Sequence, residues 1–128
     1  MPVETPEPAR AASLWAPVVA YMAFIFGLSS IAQPPGLPAG LSDKTGHVAL
    51  YFGLSALLVR AFAGGWRARV TPFVACLAAV AATAYGVSDE FHQLFVPPRQ
   101  ADALDLAADA VGAALAALAG YALSRFRL

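Results

Sequence analysis

A chain of 128 residues with a formal net charge of zero suits one domain and carries no basic excess with which to hold nucleic acid. Hydrophobic residues make up 59% and charged residues 12%, with a mean hydropathy of +0.65, so too few polar side chains are present to coat a water-soluble globule. The single Cys76 excludes an internal disulfide and offers no metal motif; inside an apolar run it is expected to be a small buried residue.

In chain order, Met1–Ser13 with Pro2, Pro6 and Pro8 reads as a disordered cytoplasmic tail, and residues 14–128 as one transmembrane domain. A bilayer core needs about 20 mostly apolar residues per helix. Four stretches qualify, near Leu14–Ile31, His47–Ala63, Val70–Phe95 and Leu104–Leu123. Ser30-Ile31-Ala32 resembles a signal-peptidase site, but Glu4 and Glu7 against a lone Arg10 are the wrong flank for a leader.

Pro34, Pro35, Gly36, Pro38 and Gly40 break any helix between the first two segments, Gly64-Gly65 ends the second, and Pro97-Pro98 stops the third. Trp66 fits an interfacial anchor. Gly112, Ala116 and Gly120 recur every four residues in the fourth segment, a small-residue face that permits close helix packing. The expected fold is therefore an all-α, up-down bundle of four membrane-spanning helices.

Lys and Arg set the expected orientation. Arg10, Arg60, Arg67, Arg69, Arg125 and Arg127 fall at one end of the segments, and only Lys44 and Arg99 at the other. Both termini are thus expected in the cytoplasm, and the arginines are read as topology signals alone.

The acids then gather on the opposite, outer side. Asp43, Asp89, Glu90, Asp102, Asp105 and Asp109 lie there with His47 and His92, and six acids against Lys44 and Arg99 leave an excess of four negative charges. Packed closely in low dielectric, such a group must be protonated, paired or metal-bound. Lys44, His47 and Tyr51 share a stripe at i, i+3, i+7, and Tyr85, Asp89 and His92 another at i, i+4, i+7, with Glu90 and Gln93 beside it. Asp102, Asp105 and Asp109 form a third stripe, in which Asp105 is a candidate cap.

Asp109 lies about 10 Å deeper than Asp102 by helical rise. An acid placed there costs roughly 2.5 to 3.5 kcal/mol, which makes it a functional candidate by default. Desolvation is expected to leave it protonated unless a base among Lys44, Arg99, His47 and His92 reaches it.

The candidate catalytic residues are His47, Asp89, Glu90 and Asp105, which offer general acid and base chemistry. Lys44, Tyr51, Gln93, Arg99 and Asp109 are candidates for substrate binding, Lys44 and Arg99 as holders of a phosphate or carboxylate. No obvious nucleophile accompanies them, so an enzyme here would hydrolyse through an activated water. A hard ion such as Mg²⁺ would offset the acid excess, although no spacing is diagnostic of one. A non-enzymatic binder of an amphiphile and a small proton-coupled carrier stay open beside the enzyme.

These residues, in this order, resemble the VanZ-like family of small bacterial membrane proteins. The resemblance runs through Asp43-Lys44-x-x-His47-x-x-x-Tyr51, Tyr85-Gly86-x-x-Asp89-Glu90-x-x-Gln93, Pro97-x-Arg99 and Asp105-x-x-x-Asp109-x-x-Gly112, with Ser29-Ser30 ahead of them. Pro98 stands where the family often has Gly, and Asp109 where it commonly has Asn. The resemblance implies a multi-pass protein of the bacterial plasma membrane with an envelope role. It also implies lipid surroundings, an amphiphilic or lipid-linked ligand at the outer leaflet, and a link to teicoplanin-type glycopeptide resistance.

Overall fold

A computed structural model describes residues 7–31, 43–97 and 101–126. Arg99, a sequence candidate, lies outside the described residues. Four helices follow in order: α1 (Glu7–Ser29), α2 (Asp43–Ala63), α3 (Pro72–Gln93) and α4 (Ala103–Arg125), with no strand among the described residues. At 21 to 23 residues each they span about 31 to 35 Å, enough for a hydrocarbon core of about 30 Å. All four are long and apolar enough to cross a membrane.

Local chemistry sets the helix ends. Thr71 accepts a hydrogen bond from the Val74 N–H at 3.1 Å and Pro72 follows, which starts α3. Asp102, not Asp105, caps α4: its Oδ1 accepts from the Leu104 N–H at 2.9 Å. Gly64 and Gly65, at φ +98° and +142°, close α2 in a conformation that other residues rarely adopt.

The first helix departs from the expected tail. It begins at Glu7, because an acid and a proline in the first turn and Ala9, Ala11 and Ala12 behind them all favour helix. Residues 7–13 are therefore helical and exposed, and residues 1–6 lie outside the described residues.

Pro17, inside α1, has no N–H to give the Ser13 carbonyl. Arg60 of α2 supplies the missing donor, its guanidinium lying 3.0 Å from the Ser13 oxygen and 5.7 Å from the centre of the Trp66 ring. Arg60 is thus a helix-to-helix tie as well as a topology signal.

Helices α2, α3 and α4 form a close-packed trio, and α1 lies against α2 and α3 without packing on α4 among the described residues. The small-residue face of α4 explains the tightest contact. A Cβ at Gly112 would collide with the Val48 carbonyl of α2, and one at Gly120 would lie 3.1 Å from Val59 Cγ1. Ser55 of α2 donates to the Ala113 carbonyl at 2.8 Å, and the Ser124 hydroxyl accepts from the Val70 N–H at 3.1 Å.

Two tyrosines hold α1. Tyr21 donates to the Leu50 carbonyl and Tyr85 to the Met22 carbonyl, each at 2.7 Å. Phe24, Phe73, Val80, Phe91, Leu104 and Leu118 face outward, as side chains in contact with lipid tails would. Cys76 is also exposed, contrary to expectation, because α3 turns it away from the trio.

Candidate functional site

The alternating helix directions bring the end of α3 and the starts of α2 and α4 together. At this end Asp105, Asp109, His47, Asp89, Glu90 and Gln93 are all buried. His47 is central. Its Nδ1 lies 2.7 Å from Asp109 Oδ1, and its Nε2 lies 3.6 Å from Asp105 Oδ2 and 3.9 Å from the exposed Asp43. The base that reaches down to Asp109 is therefore an imidazole, which meets the condition under which desolvation alone does not decide its state.

Above this pair Lys44 donates to Asp102 Oδ2 at 2.8 Å and to Asp105 Oδ1. The Lys44 ammonium, and after it the Leu104 N–H, hold the Asp102 carboxyl below the usual carboxylate range. Glu90 enters from α3, its Oε2 accepting from the Asp102 backbone N–H at 2.9 Å. One hydrogen-bonded chain thus runs from α3 through the α4 cap to α2.

Tyr51 lies one turn below His47 and is fully buried. Gly86, one turn before Glu90, leaves the room in which Tyr51 and Asp109 meet: a Cβ there would lie 2.9 Å from Asp109 Oδ2 and 3.3 Å from Tyr51 Cε1. Its place as the one small member of the Gly86–Glu90–Gln93 stripe is the signal by which the sequence could have marked it. Gln93 is buried on the same face.

The expected Tyr85–Asp89–His92 stripe divides. Asp89 is buried, whereas Tyr85 bonds to α1 and His92 turns to α1 as well. There His92 lies 3.3 Å from Ser29 Oγ and stacks on Phe26 at 4.4 Å. Only one of the two histidines joins the acids.

A family model described as VanZ/LLP1 matches residues 8–124, nearly the whole chain. The chain belongs to the VanZ-like family. It is a VanZ-like multi-pass membrane protein with four candidate spans. No curated protein and no solved structure matches it.

Proposed function

We propose that this VanZ-like protein binds the ionic headgroup of an amphiphilic, lipid-linked envelope compound at the His47 cluster and hydrolyses it with an activated water. The single observation that carries this reading is the buried His47–Asp109 pair, with Asp105 and Glu90 close beside it between three helices. Burial of so many ionisable groups in an apolar bundle is costly, and the cost is matched by acid–base function.

In this reading the Asp109 carboxylate orients the imidazole through Nδ1 and leaves Nε2 toward the open end of the bundle. Nε2 takes a proton from water as its oxygen attacks the headgroup, and the same proton goes to the leaving oxygen. Lys44 meets anionic groups of the substrate, and Asp89, Gln93 and Tyr51 line its approach. The lysine and arginine distribution supports a reading in which this end faces the outer leaflet of the bacterial plasma membrane, with both termini cytoplasmic. A role in tolerance to teicoplanin-type antibiotics follows if the compound belongs to the target envelope.

The test is lipid mass spectrometry. Wild-type protein in nanodiscs, incubated with a bacterial envelope-lipid extract, should retain or convert a species that His47→Ala leaves untouched. Identical lipid profiles for the two proteins would sink the reading.

The acid excess supports a second reading, a non-catalytic binder of a cationic headgroup. Glu90→Gln separates the two. An enzyme keeps the bound species and loses the product, whereas a binder loses the bound species itself.

A further inference from the structure

Among the described residues, three buried oxygens in the cluster have no hydrogen-bond partner: Asp109 Oδ2, Glu90 Oε1 and the Tyr51 hydroxyl. Asp109 and Tyr51 are 0% exposed and Glu90 is 8% exposed, so neither solvent nor lipid headgroups satisfy them from outside. Unpaired buried polar atoms of this kind are expensive and call for a missing partner. A ring nitrogen of His47 and one carboxylate oxygen each of Glu90 and Asp109 lie within 4.8 Å of one another. The His47–Asp109 edge of that triangle is already 2.7 Å. The absent side chain of Gly86 keeps open the space beside Asp109 Oδ2.

We propose that His47, Glu90 and Asp109 form a binding site for a divalent first-row transition-metal ion of the Zn²⁺ type, with the Tyr51 hydroxyl at its edge. One imidazole nitrogen with two carboxylates suits such an ion. Mg²⁺ and Ca²⁺ ask for shells of oxygen ligands, and a soft ion asks for thiolate, which the outward-facing Cys76 does not supply here. The ion gives Asp109 Oδ2 and Glu90 Oε1 the partner they lack among the described residues and offsets the charge of the two carboxylates.

A second grouping, Asp43, His47 and Asp105, has comparable spacing. Its Asp105 already holds the Lys44 ammonium, and Asp43 is exposed, so no partner is missing there. With a metal on Nδ1, Asp105 at 3.6 Å from Nε2 becomes the carboxylate that orients a ligating imidazole. The inference rests on the proposed function only for the location of the site. Held by these three residues, such an ion would supply the Lewis acidity that lowers the pKa of a bound water.

The test uses tag-free, full-length protein in nanodiscs, stripped with a chelator and titrated with Zn²⁺ by calorimetry, with metal content counted by mass spectrometry. Wild type should take up one ion per chain. Glu90→Gln and Asp109→Asn should each weaken binding by at least about tenfold, while Asp43→Asn leaves it unchanged. Substoichiometric uptake by wild type overturns the proposal, as does equal weakening by Asp43→Asn. Should the site variants fail to fold, the wild type decides alone: Zn²⁺ must raise the melting temperature of the stripped protein, and no rise overturns the site. A chain that binds no metal yet shows His47-dependent lipid chemistry defeats this inference and leaves the proposed function standing. Metal uptake with an unaltered lipid profile does the reverse.

Discussion

At one end of the bundle His47, Glu90, Asp105 and Asp109 point between α2, α3 and α4, and bond to one another or to the α4 cap. At the other end Arg10, Arg60 and Arg125 lie near the surface and donate to the Gly64 and Ser13 carbonyls and to the Tyr121 hydroxyl. The arginine end satisfies backbone groups that helix ends and a proline leave bare, with two contacts between α1 and α2 or its end and one within α4, all near the surface. The acid end depends on helices that meet only in the folded bundle. Charge at the arginine end stays near water, whereas charge at the acid end is buried with a partner.

This contrast can be broken most sharply at His47. Replacing it with Ala strands Asp109 in the interior, and losing one partner of a buried pair should cost about 3 kcal/mol in denaturant unfolding in micelles. Arg125→Ala, its counterpart at the other end, should fall within about 0.5 kcal/mol of wild type. Equal losses would erase the distinction between the ends.

Gly112→Val tests whether the close approach of α2 and α4 is what assembles the acid end. The added side chain collides with the Val48 carbonyl and should cost roughly 1 to 3 kcal/mol, read by the same unfolding assay. A neutral result would show that the two helices can separate without loss. Arg60→Ala should cost about 1 kcal/mol through the Ser13 carbonyl that Pro17 leaves open. Restoring a donor with Pro17→Ala should recover most of that loss; no recovery would mean that Arg60 acts elsewhere.

The smallest effect is electrostatic. Asp102 is partly exposed to solvent at the acid end, and its carboxyl is held below its ordinary range by Lys44 and then by the Leu104 N–H. A depressed folded-state value makes this contribution complete above the unfolded value of about 3.9 and lost as pH falls through the lower folded one. Wild type and Asp102→Asn should therefore converge in stability in that acid window and differ slightly above it. A gap that widens on acidification would reverse the sign.

Much of this arrangement was legible from residue order. Apolar runs long enough to span a bilayer stood out because lipid tolerates few charges, and the Gly112–Gly120 spacing marked the face on which α4 meets α2. Depth was also readable, since 1.5 Å per residue places Asp109 below Asp102 whatever its neighbours. Rotation was not. The Tyr85, Asp89 and His92 stripe straddles two faces of α3, and the position of α1 decides that His92 leaves the acids. Cys76 faces outward against expectation for the same reason, since an apolar run does not say which of its members meet lipid. The helical start at Glu7 was hidden because membrane hydropathy does not register the helix propensity of Ala9, Ala11 and Ala12 in water.

The partners at the acid end are far apart in synthesis. His47 and Asp109 are 62 residues apart along the chain, and Lys44 and Asp102 are 58. At about 5 to 20 residues per second, α2 waits about 3 to 12 s before the ribosome has made the residues that complete it. Throughout that interval Lys44 and His47 have no α4 acid to meet, and the half-made bundle presents polar groups to lipid or to whatever holds it at the insertion site. A nascent chain interrupted after α3 would keep that face without its α4 partners for good.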